Sequence, residues 1–60
     1  MLLKTNNTVQ CYDQNVYHIV GVKGRYAYGH MPDSSSQRLF KLNGQYAGGD
    51  RTKNVAKLMG

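Results

Sequence analysis

The sequence predicts one β-rich domain over residues 1–60, either all-β or α+β, built as a small five-stranded antiparallel barrel or meander with a short C-terminal helix. Sixty residues leave room for a single core, because compact domains usually run to roughly 100 residues or more. Turn chemistry recurs at short intervals between apolar runs, which is the punctuation of strands. Helical periodicity is confined to the last ten residues.

The turn signals are Asp13-Gln14-Asn15, Lys23-Gly24, Pro32-Asp33-Ser34-Ser35-Ser36, Asn43-Gly44 and Gly48-Gly49. Between them the expected strands run from Thr8 to Tyr12, Val16 to Val22, Arg25 to Met31, Arg38 to Leu42, and briefly from Gln45 to Ala47. Asn43-Gly44 predicts a two-residue type I′ hairpin, since both central positions of that turn need positive φ. At the C-terminus, Val55, Leu58 and Met59 recur at helical spacing, Asp50 can cap the first turn, and Gly60 follows the end,. This predicts a helix over residues 51–59, with a strand through residues 54–58 that closes the barrel as the alternative.

A chain this short buries only about 60% of the surface its unfolded form exposes, so its core needs support. Disulfides cannot provide it within one chain, because Cys11 is the only cysteine,. A lone thiol suits a reducing compartment. Lys4 and the polar run Thr5-Asn6-Asn7-Thr8 interrupt the apolar start at Leu2-Leu3, which argues against a secretion signal. No stretch approaches the roughly 20 apolar residues of a membrane span. A soluble, cytoplasmic protein without membrane contact is expected.

The net charge is +5, from eight Lys and Arg residues against Asp13, Asp33 and Asp50, with no Glu. Such a balance favours polyanions, whether nucleic acid or an acidic protein surface, through long-range attraction and counterion release. If Lys23-Gly24 turns the second strand into the third, Val22 faces Arg25 and His18 faces Gly29. One face then carries Val16, His18, Val20, Val22, Ala27 and Met31, an aliphatic inward set. The other carries Tyr17, Ile19, Tyr26, Tyr28 and His30, an aromatic set on which nucleobases can stack. The same aromatics can equally stabilise the sheet by cross-strand pairing.

Chemistry at a catalytic or metal site finds little in this chain. Cys11, His18, His30 and the aspartates show no close metal-ligand spacing, and the register above separates the histidines onto opposite faces,. The aspartates sit at turn or cap positions that already explain them. Cys11 on an alternating strand reads as a small buried hydrophobe. Gly48-Gly49 ahead of a helix start offers at most one phosphate contact. No enzyme activity, cofactor or metal is expected.

The stretch Ile19-Val20-Gly21-Val22-Lys23-Gly24-Arg25-Tyr26-Ala27-Tyr28-Gly29 resembles the first hairpin of SH3-like small barrels of the KOW type, which set glycine and Lys-Gly between β-branched strands. The final glycine comes two residues later here than in that pattern. The resemblance implies a five-stranded barrel whose loops and one open face contact RNA or another protein.

The expected function is therefore a small basic binding module for RNA, single-stranded DNA or a ribonucleoprotein. Lys23, Arg25, Lys41, Arg51, Lys53 and Lys57 are the candidates for phosphates, and Tyr17, Tyr26, Tyr28 and His30 for bases. The alternative is a compact phage-style accessory protein that inhibits or modulates a larger host protein, because Tyr, Gly, Ser and Asn are abundant in adaptable binding surfaces. Self-association through open sheet edges can accompany either.

Overall fold

A computed structural model describes residues 2–60. The chain forms one five-stranded antiparallel sheet in the order β4-β3-β2-β1-β5, curled into a half-barrel. Its strands are β1 (Thr8–Cys11), β2 (Val16–Lys23), β3 (Tyr26–His30), β4 (Arg38–Lys41) and β5 (Val55–Leu58). Leu3, Val9, Cys11, Tyr17, Ile19, Ala27, Phe40 and Val55 form the buried core on the inner face, with Met31, Leu42 and Tyr46 packed against it. Phe40 is its aromatic centre: Tyr17 meets it edge-on at 5.4 Å between ring centroids and Tyr46 at 5.7 Å, the arrangement that the ring quadrupole favours.

Two hairpins differ in detail from the sequence expectation. Between β2 and β3 the turn residues are Gly24 and Arg25, flanked by the pair Lys23 and Tyr26. Gly24 has φ +60 and Arg25 does not share that sign, so this is the II′ type of turn, which requires glycine first. After β4 the Asn43-Gly44 hairpin forms, but as a three-residue loop. Gly44 donates to the Lys41 carbonyl at 2.9 Å, Lys41 donates to the Gln45 carbonyl at 2.7 Å, and only Gly44 takes positive φ. That is a type I turn closed by a bulge. The returning arm is paired with β4 at one bridge, Phe40 with Tyr46, rather than forming a full strand from Gln45 to Ala47.

The expected C-terminal helix is absent. Residues Arg51–Lys53 make one 3-10 turn, capped by Asp50 as its side chain accepts from the Thr52 amide, and the chain then enters β5. A helix of nine residues is marginal in water. Pairing with the free edge of β1 instead satisfies the backbone and buries Val55 opposite Cys11. Val55 N–H also donates to the Gly44 carbonyl at 2.8 Å and Tyr46 N–H to Asn54 Oδ1 at 2.8 Å. These bonds draw the two edges of the curled sheet towards each other.

The faces of β2 change sides within the strand. Near the turn, Lys23 pairs with Tyr26, Val22 with Ala27 and Gly21 with Tyr28, but beyond it Ile19 pairs with Gly29 and His18 with His30. Val20 is therefore the extra residue of a β-bulge. Close to the turn the pairing differs by two residues from the expected one, a shift that leaves each side chain on its face. Past the bulge the faces invert: Tyr17 and Ile19 are buried, while Val16, His18 and Val20 are only partly covered. The two histidines consequently share the outer face instead of lying on opposite ones.

Gly29 makes the bulge possible. A Cβ there would collide with the His18 carbonyl and lie within about 3 Å of the Ile19 Cα, and backbone atoms cannot swing aside. Gly29→Ala is expected to cost about 1–3 kcal/mol, measurable as a lower melting temperature. Val22→Ala, at a position 39% exposed, is expected to cost less than about 1 kcal/mol. Equal losses at the two positions would contradict the bulge geometry.

Candidate functional site

Three of the sequence-predicted residues stand side by side. Across β2, β3 and β4, Lys23 pairs with Tyr26 and Tyr26 with Lys41, so directly opposed residues place all three on one face of the sheet. An exposed aromatic ring thus lies between two exposed ammonium groups. Arg25 in the adjoining turn is exposed as well. Next along the strands comes Gly21, Tyr28 and Leu39. A Cβ at Gly21 would collide with the phenol end of Tyr28, its hydroxyl oxygen and the carbon that bears it, so Tyr28 reaches across the glycine and is half-buried. Leu39 beside it is 45% exposed. His18 and His30 follow, with Thr8 opposite His18. His30 Nδ1 lies 2.8 Å from the Met31 carbonyl oxygen; the proton on that nitrogen donates to the carbonyl, which leaves Nε2 as the acceptor in the neutral ring.

The other candidates separate from this group. Tyr17 is 1% exposed, in the core, and offers nothing to a ligand; the bulge at Val20 moves it there. Lys53 is held by Asp50 at 3.2 Å and Asp13 at 4.0 Å. Thr52 first, then Lys53, keep the Asp50 carboxyl below its ordinary range, and Asp50 raises the Lys53 ammonium. This ion cluster ties the 3-10 turn to the β1–β2 hairpin. Arg51 is exposed on that turn. Lys57, on β5, pairs with Gln10 of β1, and β5 is the opposite edge strand from the β4 that carries Lys41. Lys41, Lys57, Arg51 and Lys53 are thus distributed between the two edge strands and the 3-10 turn.

Residues that sequence reasoning omitted complete the surface. Leu2, Leu42 and Asn43 join Arg25, Tyr26 and Lys41 around an open groove of about 530 Å³. The adjacent apolar pair Leu39-Phe40 was the available signal for an outward leucine, since strand alternation sends only one of two neighbours inside. Phe40 goes inward and Leu39 outward.

Among the described residues no group of three or more His, Cys, Asp or Glu side chains is placed to hold a metal ion. No helix among them is long and apolar enough to cross a membrane. Cys11 is buried, and desolvation, followed by the charge of Asp13, pushes its thiol up from 9.0 to about 11, with Lys53 opposing in part. A thiol so placed is a poor nucleophile at neutral pH. No family model, curated protein or solved structure matches the chain.

The raised thiol value sets a pH dependence. Neutral Cys11 contributes stability that is complete below pH 9.0 and is lost as pH rises through about 11,. The melting temperature is expected to fall across that window, and to fall less in Cys11→Ala. A thiol reagent at pH 8 is expected to label Cys11 only as fast as the protein opens; immediate labelling in native buffer contradicts the burial.

Proposed function

We propose that the chain is a small non-enzymatic binding module that holds single-stranded RNA or DNA on the outer face of β2, β3 and β4. The row Lys23, Tyr26 and Lys41 carries the proposal. Bases stack on an exposed tyrosine for about 1–3 kcal/mol each, whatever their identity, while flanking cations hold the phosphates. Arg25 extends the positive rim around the turn, and Tyr28 and His30 continue the face with aromatic surface. Single strands suit this surface better than duplex, because bases inside a duplex have both faces stacked on neighbouring pairs and none to offer a ring. The net charge of +5 attracts the polyanion from a distance. The resemblance of residues 19–29 to a KOW-type hairpin points the same way.

One observation favours a second reading, in which the same face meets an acidic surface of a host protein. Leu39, an aliphatic side chain with no stacking surface, is 45% exposed beside Tyr28, and covering it adds apolar burial to a protein contact. In that reading Leu39→Ser weakens partner capture and leaves oligonucleotide affinity unchanged.

Binding to labelled single-stranded RNA, single-stranded DNA and duplex DNA across a salt series tests the proposal. Engagement of three phosphates by Lys23, Arg25 and Lys41 gives a slope of log affinity against log salt of about −2 for single strands, and Lys41→Gln reduces its magnitude by about 0.7. Tyr26→Ala is expected to weaken binding by about 1–3 kcal/mol while the protein stays folded at the temperature of the binding assay. Affinity indifferent to Tyr26, or binding that favours duplex, contradicts the reading.

A further inference from the structure

We infer that the groove beside Tyr26 is a subsite for one phosphorylated nucleotide unit, with the base against Tyr26, Leu2 and Leu42 and the phosphate on Arg25 and Lys41. This deepens the single-strand reading and rests on it for the rest of the face.

The groove has a polar and an apolar side. Leu2 is 66% and Tyr26 40% exposed, so large apolar groups face solvent where nothing among the described residues covers them. Backbone bonds hold the wall in place: Leu42 N–H donates to the Arg25 carbonyl at 3.3 Å and Leu3 N–H to the Leu42 carbonyl at 2.8 Å. The volume of about 530 Å³ lies within the roughly 300–1,000 Å³ of small-molecule sites.

Charge selects the occupant. Arg25 and Lys41 line the groove and none of the three aspartates does. An apolar wall joined to two cations is complementary to a flat ring bearing an anion, and guanidinium is well matched to phosphate. Asn43 supplies a further group. Its Oδ1 accepts from the Gln45 amide at 3.0 Å, so its NH₂ is the end left to donate to a base carbonyl or a phosphate oxygen.

The test is a titration of the full chain, followed through its backbone amides, with a nucleoside 5′-monophosphate, the matching nucleoside, inorganic phosphate and a single-stranded oligonucleotide. The monophosphate is expected to shift Tyr26, Leu42 and Asn43 and to bind about tenfold more tightly than nucleoside or phosphate alone. Arg25→Gln and Lys41→Gln remove that tenfold advantage, weakening the monophosphate far more than the nucleoside. Leu2→Ser, at a surface position that folding tolerates, weakens nucleoside and monophosphate alike. Monophosphate binding without oligonucleotide binding identifies a free-nucleotide site, which upholds the subsite and removes the strand reading. Oligonucleotide binding with no response to the monophosphate and no effect of Leu2→Ser overturns the subsite while the strand reading stands. A monophosphate no tighter than inorganic phosphate also overturns it.

Discussion

The geometry of this small domain depends on one irregularity, the extra residue Val20 in β2. On its N-terminal side the strand turns Tyr17 and Ile19 into the core; on its C-terminal side it turns Gly21 and Lys23 outward. Without the bulge, alternation would force a choice between these two arrangements. Burial of Tyr17 against Phe40 would send Lys23 inward, and presentation of Lys23 beside Tyr26 would expose Tyr17. The bulge permits both, and Gly29, whose missing side chain admits the His18 carbonyl, is its complement on β3. Strands commonly bend and re-aim side chains in this way near functional surfaces.

Much of the β3 surface was legible from sequence. Turn residues marked four strands close to their observed limits, and alternation in β3 placed Ala27 inward and Tyr26, Tyr28 and His30 outward. The inverted half of β2 was not legible, because a bulge is set by a close backbone approach between distant residues and leaves no periodic signal in its own strand. The C-terminus was misread for a related reason. Val55, Leu58 and Met59 fit helical spacing, yet the decisive influence is the unpaired edge of β1, a tertiary demand that outweighs weak local preference,.

The electrostatics sort themselves in the same fashion. Net charge alone does not separate Lys53, whose ammonium is occupied by Asp13 and Asp50, from Lys23 and Lys41, which flank a solvent-exposed ring. Asp13 and Asp50 bind the cation on the 3-10 turn, and neither they nor Asp33 line the groove at Arg25 and Lys41. In the proposed reading, stability and binding draw on different members of one basic set: Lys53 fastens the turn, and Lys23 and Lys41 are the ones assigned to an anion. Exposed Leu2 and half-buried Leu42 add an apolar surface to that groove.

The register of β2 against β3 and β4 underlies all of this, and proton–proton contacts in solution measure it most directly. The account predicts cross-strand contacts between Lys23 and Tyr26, between Gly21 and Tyr28 and between Tyr26 and Lys41, with contacts from the Gly21 α-protons to the phenol end of Tyr28. Contacts that instead pair Val22 with Arg25 and His18 with Gly29 would mean an unbulged hairpin with Tyr17 outside, and would contradict it.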